Sequence, residues 1–365
     1  MKLLTSIMIC FFILILGIEC YSLPRFSLRA KNKCIDCHYN PTGGLIRNEN
    51  GFFYGQNLLS MISPRTDEFT MSPKLNNNIS IGLDFRGQFL YSQSKNRTDF
   101  QDMSGSIYAN IQIAKNIDII SRYDFVQDIW EGYGVGHIFP NNGYVKGGAF
   151  QPYYGLRIDD HTAYTRGGDF STFFATGARS GLIYNPLYVE AGIEFGFYIS
   201  NFVFLTTSVG TNLNNPTLTK DPTYTARLEF DPIIGNVALM FGGSYAAAKV
   251  PQPTDFYGGF AGIGYDRFTL LAEFDHSNNL IGTDINSNFL TVQAAYVIII
   301  GLEAIVRYDW MDPNIDISND EIGHLVLGLE FVPYSFVEIR PQYRFIIEDP
   351  NIDNDAVVIQ FHLYY

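Results

Sequence analysis

The sequence predicts an all-β fold, a transmembrane antiparallel β-barrel of about sixteen strands with a small, partly helical module at its N-terminal end. Three observations carry this expectation. Stretches of about ten residues alternate apolar and polar side chains with period two, the length and dyad of a membrane-spanning strand. Short connections between them alternate with long polar ones, as in barrels with tight turns on one side and loops on the other. The composition, 30 Phe, 24 Tyr and 33 Gly with only 17% charged residues, favours strands. Beyond the first residues no apolar run reaches the roughly eighteen that a membrane helix needs.

Taken in order, the chain opens on a targeting segment. Lys2 supplies a positive start and Leu3 to Gly17 is almost wholly apolar. The tract is short for a membrane span and is followed by Glu19 and Cys20, so residues 1–20 read as a cleaved secretory signal. Glu19 is a poor neighbour for a lipid-modified Cys20. A net charge of −13 argues against nucleic acid, which needs basic patches.

Residues 21–77 form a module of their own. A basic arm (Arg25, Arg29, Lys31, Lys33) leads into Cys34-Ile35-Asp36-Cys37-His38, the C-x-x-C-H signature of covalent c-type haem attachment. Two thiols at this spacing each bond one vinyl group of a porphyrin, and the adjacent imidazole reaches the iron as an axial ligand. A bare C-x-x-C also reads as a zinc half-site or a redox dithiol. The sequence has no second C-x-x-C to complete a zinc ribbon, and no βαβ pattern nearby for a thioredoxin-like motif. The arm either pairs with haem propionates or is solvated. Pro41, Gly43 and Gly44 follow as a loop that lets the backbone pass close to a flat ring. Asn48 then caps a helix expected to run to Met61, with Phe52, Phe53, Leu58, Leu59 and Ile62 available to cover the haem. Met61 is the first choice for the second axial ligand, with Met71 and His161 next.

Residues 78–365 hold the barrel. Ile79, Ile81, Leu83, Phe85 and Phe89 alternate with Ser80, Gly82, Asp84, Arg86 and Gln88. The same alternation recurs from Leu187 to Ile199, Leu302 to Trp310 and Val337 to Phe345. Val357, Ile359, Phe361, Leu363 and Tyr365 alternate with Gln360 and His362, so Tyr365 is expected on the lipid face. Short joints fall near Asn116, Asn201, Asp266, Ile300 and Pro333. Long ones are Ser92–Met103, Thr211–Pro222, His276–Ser287, Asp312–Glu321 and Asp349–Asp355. This alternation puts both barrel ends and the module on the periplasmic side and the acidic loops outside. The inward Arg86, Arg122, Arg227, Arg307, Arg340 and Arg344, with Glu190, Glu194, Glu229, Glu273, Glu303 and Glu330, suit a wet lumen. One segment breaks the rhythm, Phe150 to Arg166, with Pro152, Arg157, Asp159, Asp160 and His161. It is either a polar turn or a lumenal contact, and it resembles the constriction region of phosphate-selective porins.

A single C-x-x-C-H at Cys34, Cys37 and His38, set after a signal segment and joined to a whole-chain barrel, resembles the fused monohaem cytochrome–porins of bacterial outer membranes. The resemblance implies a porin-like barrel and one covalent haem c, and a role in extracellular electron transfer such as oxidation of Fe(II). It also implies three partners: a soluble periplasmic cytochrome or other carrier, outer-membrane lipid, and an extracellular donor or acceptor such as iron. A rival expectation from the transport class is a diffusion porin for small solutes with a haem-containing plug or redox gate. A haem enzyme ranks below both, because no distal His-Arg pair accompanies the motif. The haem is expected either inside the barrel or beneath it.

Overall fold

The computed structural model describes residues 24–63, 71–158, 160, 162–168, 181–182, 184, 188–212, 222–249, 252–351 and 353–365. The expected signal at residues 1–20, and His161 as a ligand candidate, lie outside the described residues.

The barrel runs through β1 (Ile79–Ser92), β2 (Arg97–Ala114), β3 (Ile117–Asp124), β4 (Ile129–Gly136), β5 (Tyr144–Phe150), β6 (Glu190–Ser200), β7 (Val203–Asn212) and β8 (Thr223–Phe230). It continues through β9 (Val237–Lys249), β10 (Pro253–Tyr265), β11 (Phe268–Asn278), β12 (Asn286–Ile299), β13 (Leu302–Asp312), β14 (Ile322–Tyr334), β15 (Val337–Glu348) and β16 (Ala356–Tyr364). Ile233–Ile234 pairs with the same neighbour as β8 and is its continuation, which makes sixteen strands as expected. Every pairing is antiparallel between chain neighbours, and β1 closes on β16 with Gln88 opposite Gln360 and Asp84 opposite Tyr364. Closure leaves no edge, the condition for a sheet in lipid.

The sense of burial is inverted relative to a soluble protein. Along β13, Glu303, Arg307 and Asp309 are buried while Val306 is 46% exposed. Phe361, Leu363, Phe345 and Leu327 likewise face out, and His362, Arg344 and Val326 face in. An apolar exterior around a polar interior is what a bilayer selects. Two-residue turns (Lys115–Asn116, Asn201–Phe202, Asp266–Arg267, Ile300–Gly301) mark one end, and the acidic loops at 313–321 and 349–355 the other. The expected loop Ser92–Met103 is shorter than its polarity suggested. Arg97 to Asp102 pair with β1, a hairpin whose polar outer end extends the strands.

The lumen is filled from both sides. The described residues between β5 and β6, which include most of the segment that breaks the rhythm, fold inward. Arg166 pairs with Glu273 at 2.6 Å, and Asp160 takes Arg307 at 2.8 Å and Arg344 at 3.0 Å. Tyr154 donates to Asp275, and Tyr154, Tyr164, Tyr184 and Tyr188 pack on Phe256 and Phe289. Of the inward cations, Arg227, Arg307 and Arg344 therefore hold the loop, while Arg86, Arg122 and Arg340 line open lumenal space.

From the turn end, residues 24–63 enter as a plug. Helices α1 (Pro24–Ala30), α2 (Cys34–Cys37) and α3 (Glu49–Asn57) lie against the barrel wall. Leu28 is buried among Met240, Phe260, Leu271 and Leu156, worth about 1.5–3 kcal/mol of apolar burial. Arg25 pairs with Glu330 at 2.7 Å and Arg29 with Glu303 at 3.1 Å. These two residues of the basic arm are thus not solvated, because the wall glutamates take them. Helix α3 ends at Asn57, short of the expected Met61. Tyr365 also departs from expectation. It lies past the end of β16, stacks edge-on with Phe52 at 5.2 Å, and donates to the Ser72 carbonyl, so it covers the plug instead of meeting lipid.

Candidate functional site

The C-x-x-C-H stretch is a single helical turn locked at both ends. The His38 N–H donates to the Cys34 carbonyl, and the Lys33 N–H donates to the Asp36 carboxylate. Asn48 does three jobs. Its N–H donates to the Cys37 carbonyl, its amide donates to the Ile35 carbonyl, and its Oδ1 accepts from Asn50 and Gly51 to cap α3. Gly51 is required by this contact, since a Cβ there would lie 2.1 Å from the Cys37 carbonyl oxygen.

Residues 39–46 form a loop closed by the bridge between His38 and Arg47 and by the Tyr39 N–H on the Ile46 carbonyl. Gly43 and Gly44 adopt φ of 79° and 74°, a region glycine enters without strain, and Gly43 lies against the Cys34 sulfur. Arg157, from the inward loop, donates to the Thr42 carbonyl at 2.7 Å and to its hydroxyl at 3.1 Å. The plug loop and the inward loop therefore brace each other in mid-lumen.

His38 is buried, lines a cavity of about 480 Å³ at the turn end of the barrel, and leaves Nδ1 with no hydrogen-bond partner. Burial above all, then Arg47 and Arg157, lowers its pKa to about 3, so the imidazole is neutral and keeps the lone pair a metal needs. Cys37 is buried and Cys34 half-buried, and neither is in a disulfide. Burial first and Glu229 second push the Cys34 thiol up to about 12. A redox dithiol needs the opposite shift, which speaks against that reading of the motif.

The donor set fits a covalently held haem. A buried imidazole whose Nδ1 has no hydrogen-bond partner opens on a cavity within the range of cofactor sites. Cys34 itself lines a separate small recess with Tyr153, Tyr198 and Phe204. Neither Cys34 nor Cys37 lines the His38 cavity, so bringing both thiols to one ring there requires their side chains to turn.

Met61 is not brought to His38. After α3 the chain reaches the barrel rim, where the Met61 N–H donates to the Val332 carbonyl. The Met61 side chain is 43% exposed and outside the lining of the His38 cavity. Met71 packs at the rim with Phe52 and Phe336. Sequence reasoning missed a second imidazole on the same cavity. His362 on β16 lines the same cavity and is held by Glu338 at 2.8 Å and Asp84 at 2.9 Å. Its inward position on the last strand was readable, but its meeting with Asp84 depends on barrel closure.

A second cavity of about 480 Å³ lies beyond the plug loop, lined by Arg122, Glu131, Lys146 and Arg157. Both cavities touch Gly44, Leu45, Asp84, Arg86 and Tyr108, so they meet along the β1–β2 wall.

No family model matches this chain, and no curated protein matches it. Solved structures do. OprB of Pseudomonas putida aligns with a TM-score of 0.61 at 10% identity, over 79% of this chain and 94% of that one. OmpF of Salmonella typhi, in complex with daunomycin, aligns at 0.54 and 10% identity over 81% and 100%. The outer membrane channel DcaP of Acinetobacter baumannii aligns at 0.52 and 10% identity over 79% and 97%. At such identity the likeness is one of fold. The chain has the sixteen-stranded porin-like barrel of bacterial outer-membrane proteins.

Proposed function

We propose that this is an outer-membrane electron conduit, a porin-type barrel whose lumenal plug carries one haem c on Cys34 and Cys37 with His38 as axial ligand. The carrying observation is the position of the C-x-x-C-H turn, inside the lumen and beside a cavity open toward the turn end. The bound group would supply one-electron chemistry. The protein's residues do the rest. Asn48 fixes the turn to α3, Arg157 fixes the loop beneath it, and Leu45, Tyr54 and Tyr108 wall the cavity. On the periplasmic side the partner is a soluble cytochrome or similar carrier. On the outside, the acidic loops at 313–321 and 349–355 would concentrate a cationic donor such as Fe(II).

The test uses proteoliposomes holding an enclosed acceptor. The intact holoprotein should pass electrons from an external donor without leaking small sugars, and His38→Ala should abolish that passage. Electron passage that survives loss of the haem refutes the proposal.

A second reading, a diffusion channel for small solutes, is favoured by the contact of the two cavities along β1 and β2 and by the barrel likeness. Sugar leakage without electron passage would select it.

A further inference from the structure

Resting on the haem proposal, the geometry points to His362 as the second axial ligand, a site for iron completed by the barrel wall and not by the plug. Among the described residues lining the His38 cavity there is no methionine or cysteine, and His362 is the one imidazole besides His38. It is buried, and its ring lies 4.8 Å from that of Tyr364, over which Arg47 stacks at 4.5 Å. Arg47 is the residue bridged to His38. The two histidines thus line one space, His38 from the plug and His362 from β16.

One side of the His362 ring is held as in a metal-binding imidazole, while the other meets a second carboxylate. Glu338 holds Nδ1 at 2.8 Å and is itself held by Arg340 at 2.8 Å, an arrangement that fixes ring orientation and leaves Nε2 as the ligating atom. Asp84 meets Nε2 at 2.9 Å and has other partners, Arg86 at 3.3 Å and the Ser104 hydroxyl at 3.2 Å, so it can release the ring. In the ligating form the Nε2 contact with Asp84 would be given up while Nδ1 keeps its hydrogen bond to Glu338. No electron changes hands in that step.

The experiment compares purified, detergent-solubilised full-length protein with His362→Ala and His362→Gln, each checked for barrel folding by heat-shifted gel mobility. A pyridine haemochrome assay comes first, and wild-type protein without covalent haem fails the underlying haem reading alone. With haem present, the wild type should give the low-spin ferric electron paramagnetic resonance of two imidazoles. Both variants should retain covalent haem, lose that signal to a high-spin one, and recover it with added imidazole. If the variants fail to fold, the wild-type spectrum still decides. A high-spin or thioether-type wild-type spectrum, or an unchanged low-spin signal in a folded variant, overturns the assignment.

Discussion

Replacing Arg25 and Arg29 together by Met should free the plug from the lumen while keeping the side-chain stems. Both guanidiniums meet carboxylates that are themselves buried, Glu330 at 2.7 Å and Glu303 at 3.1 Å, with side chains close to a tenth exposed. Removing one partner of such a pair strands a buried charge and costs about 3–5 kcal/mol. At Glu330 the loss falls at the low end, because Arg340 remains 3.5 Å away. At Glu303 the carboxylate loses its one cationic partner among the described ion pairs. Each pair therefore shifts the docked–undocked equilibrium by roughly 10²- to 10³-fold toward release. The burial of Leu28 among Met240, Phe260 and Leu271 is untouched and opposes the release. Planar-bilayer recordings should show a larger ionic conductance for the double variant than for wild type. Trypsin should cut at Lys31 and Lys33 in the folded barrel. Unchanged conductance together with protected lysines would refute the claim that these pairs hold the plug.

Gly51→Ala places a methyl 2.1 Å from the Cys37 carbonyl, so α3 must move off the haem turn. Covalent haem per folded barrel should drop severalfold, read as haem stain against heat-shifted mobility. Asp160→Asn removes the charge shared by Arg307 and Arg344 and should loosen the inward loop, at a cost near 3–5 kcal/mol. Faster proteolysis within residues 151–189, with the barrel intact, would register it. Val306→Arg puts a cation on the lipid face in mid-strand and should destabilise the barrel by about 2–4 kcal/mol in denaturant titrations from bilayers, whereas the same change in detergent micelles should cost less.

Strands and motif were legible because each is local. Period-two alternation fixes which face of β13 meets lipid, and Cys34, Cys37 and His38 fall within one helical turn and its cap. What was not legible lies at long range. Asp160 looks like a loop carboxylate until Arg307 and Arg344, 147 and 184 positions away, close on it. Met61 was the end of an expected helix, but the helix stops at Asn57, and Met61 and Ile62 are drawn to the rim by hydrogen bonds to Val332 and Pro333. Tyr365 followed the alternation of β16 on paper, yet the strand ends one residue before it and the ring turns onto Phe52. The basic arm gave its charge away but not its partners, which are carboxylates some three hundred positions downstream.

The pairing of β1 with β16 does more than shut the cylinder, because the seam runs through the wall that carries His362 and Asp84. Those two side chains come from opposite termini of the barrel and meet when the final strand finds the first. Assembly in the membrane and completion of the pocket are therefore one event. A chain stalled before its last nine-residue strand zips home would carry His38 beside a cavity that still lacks its β16 wall.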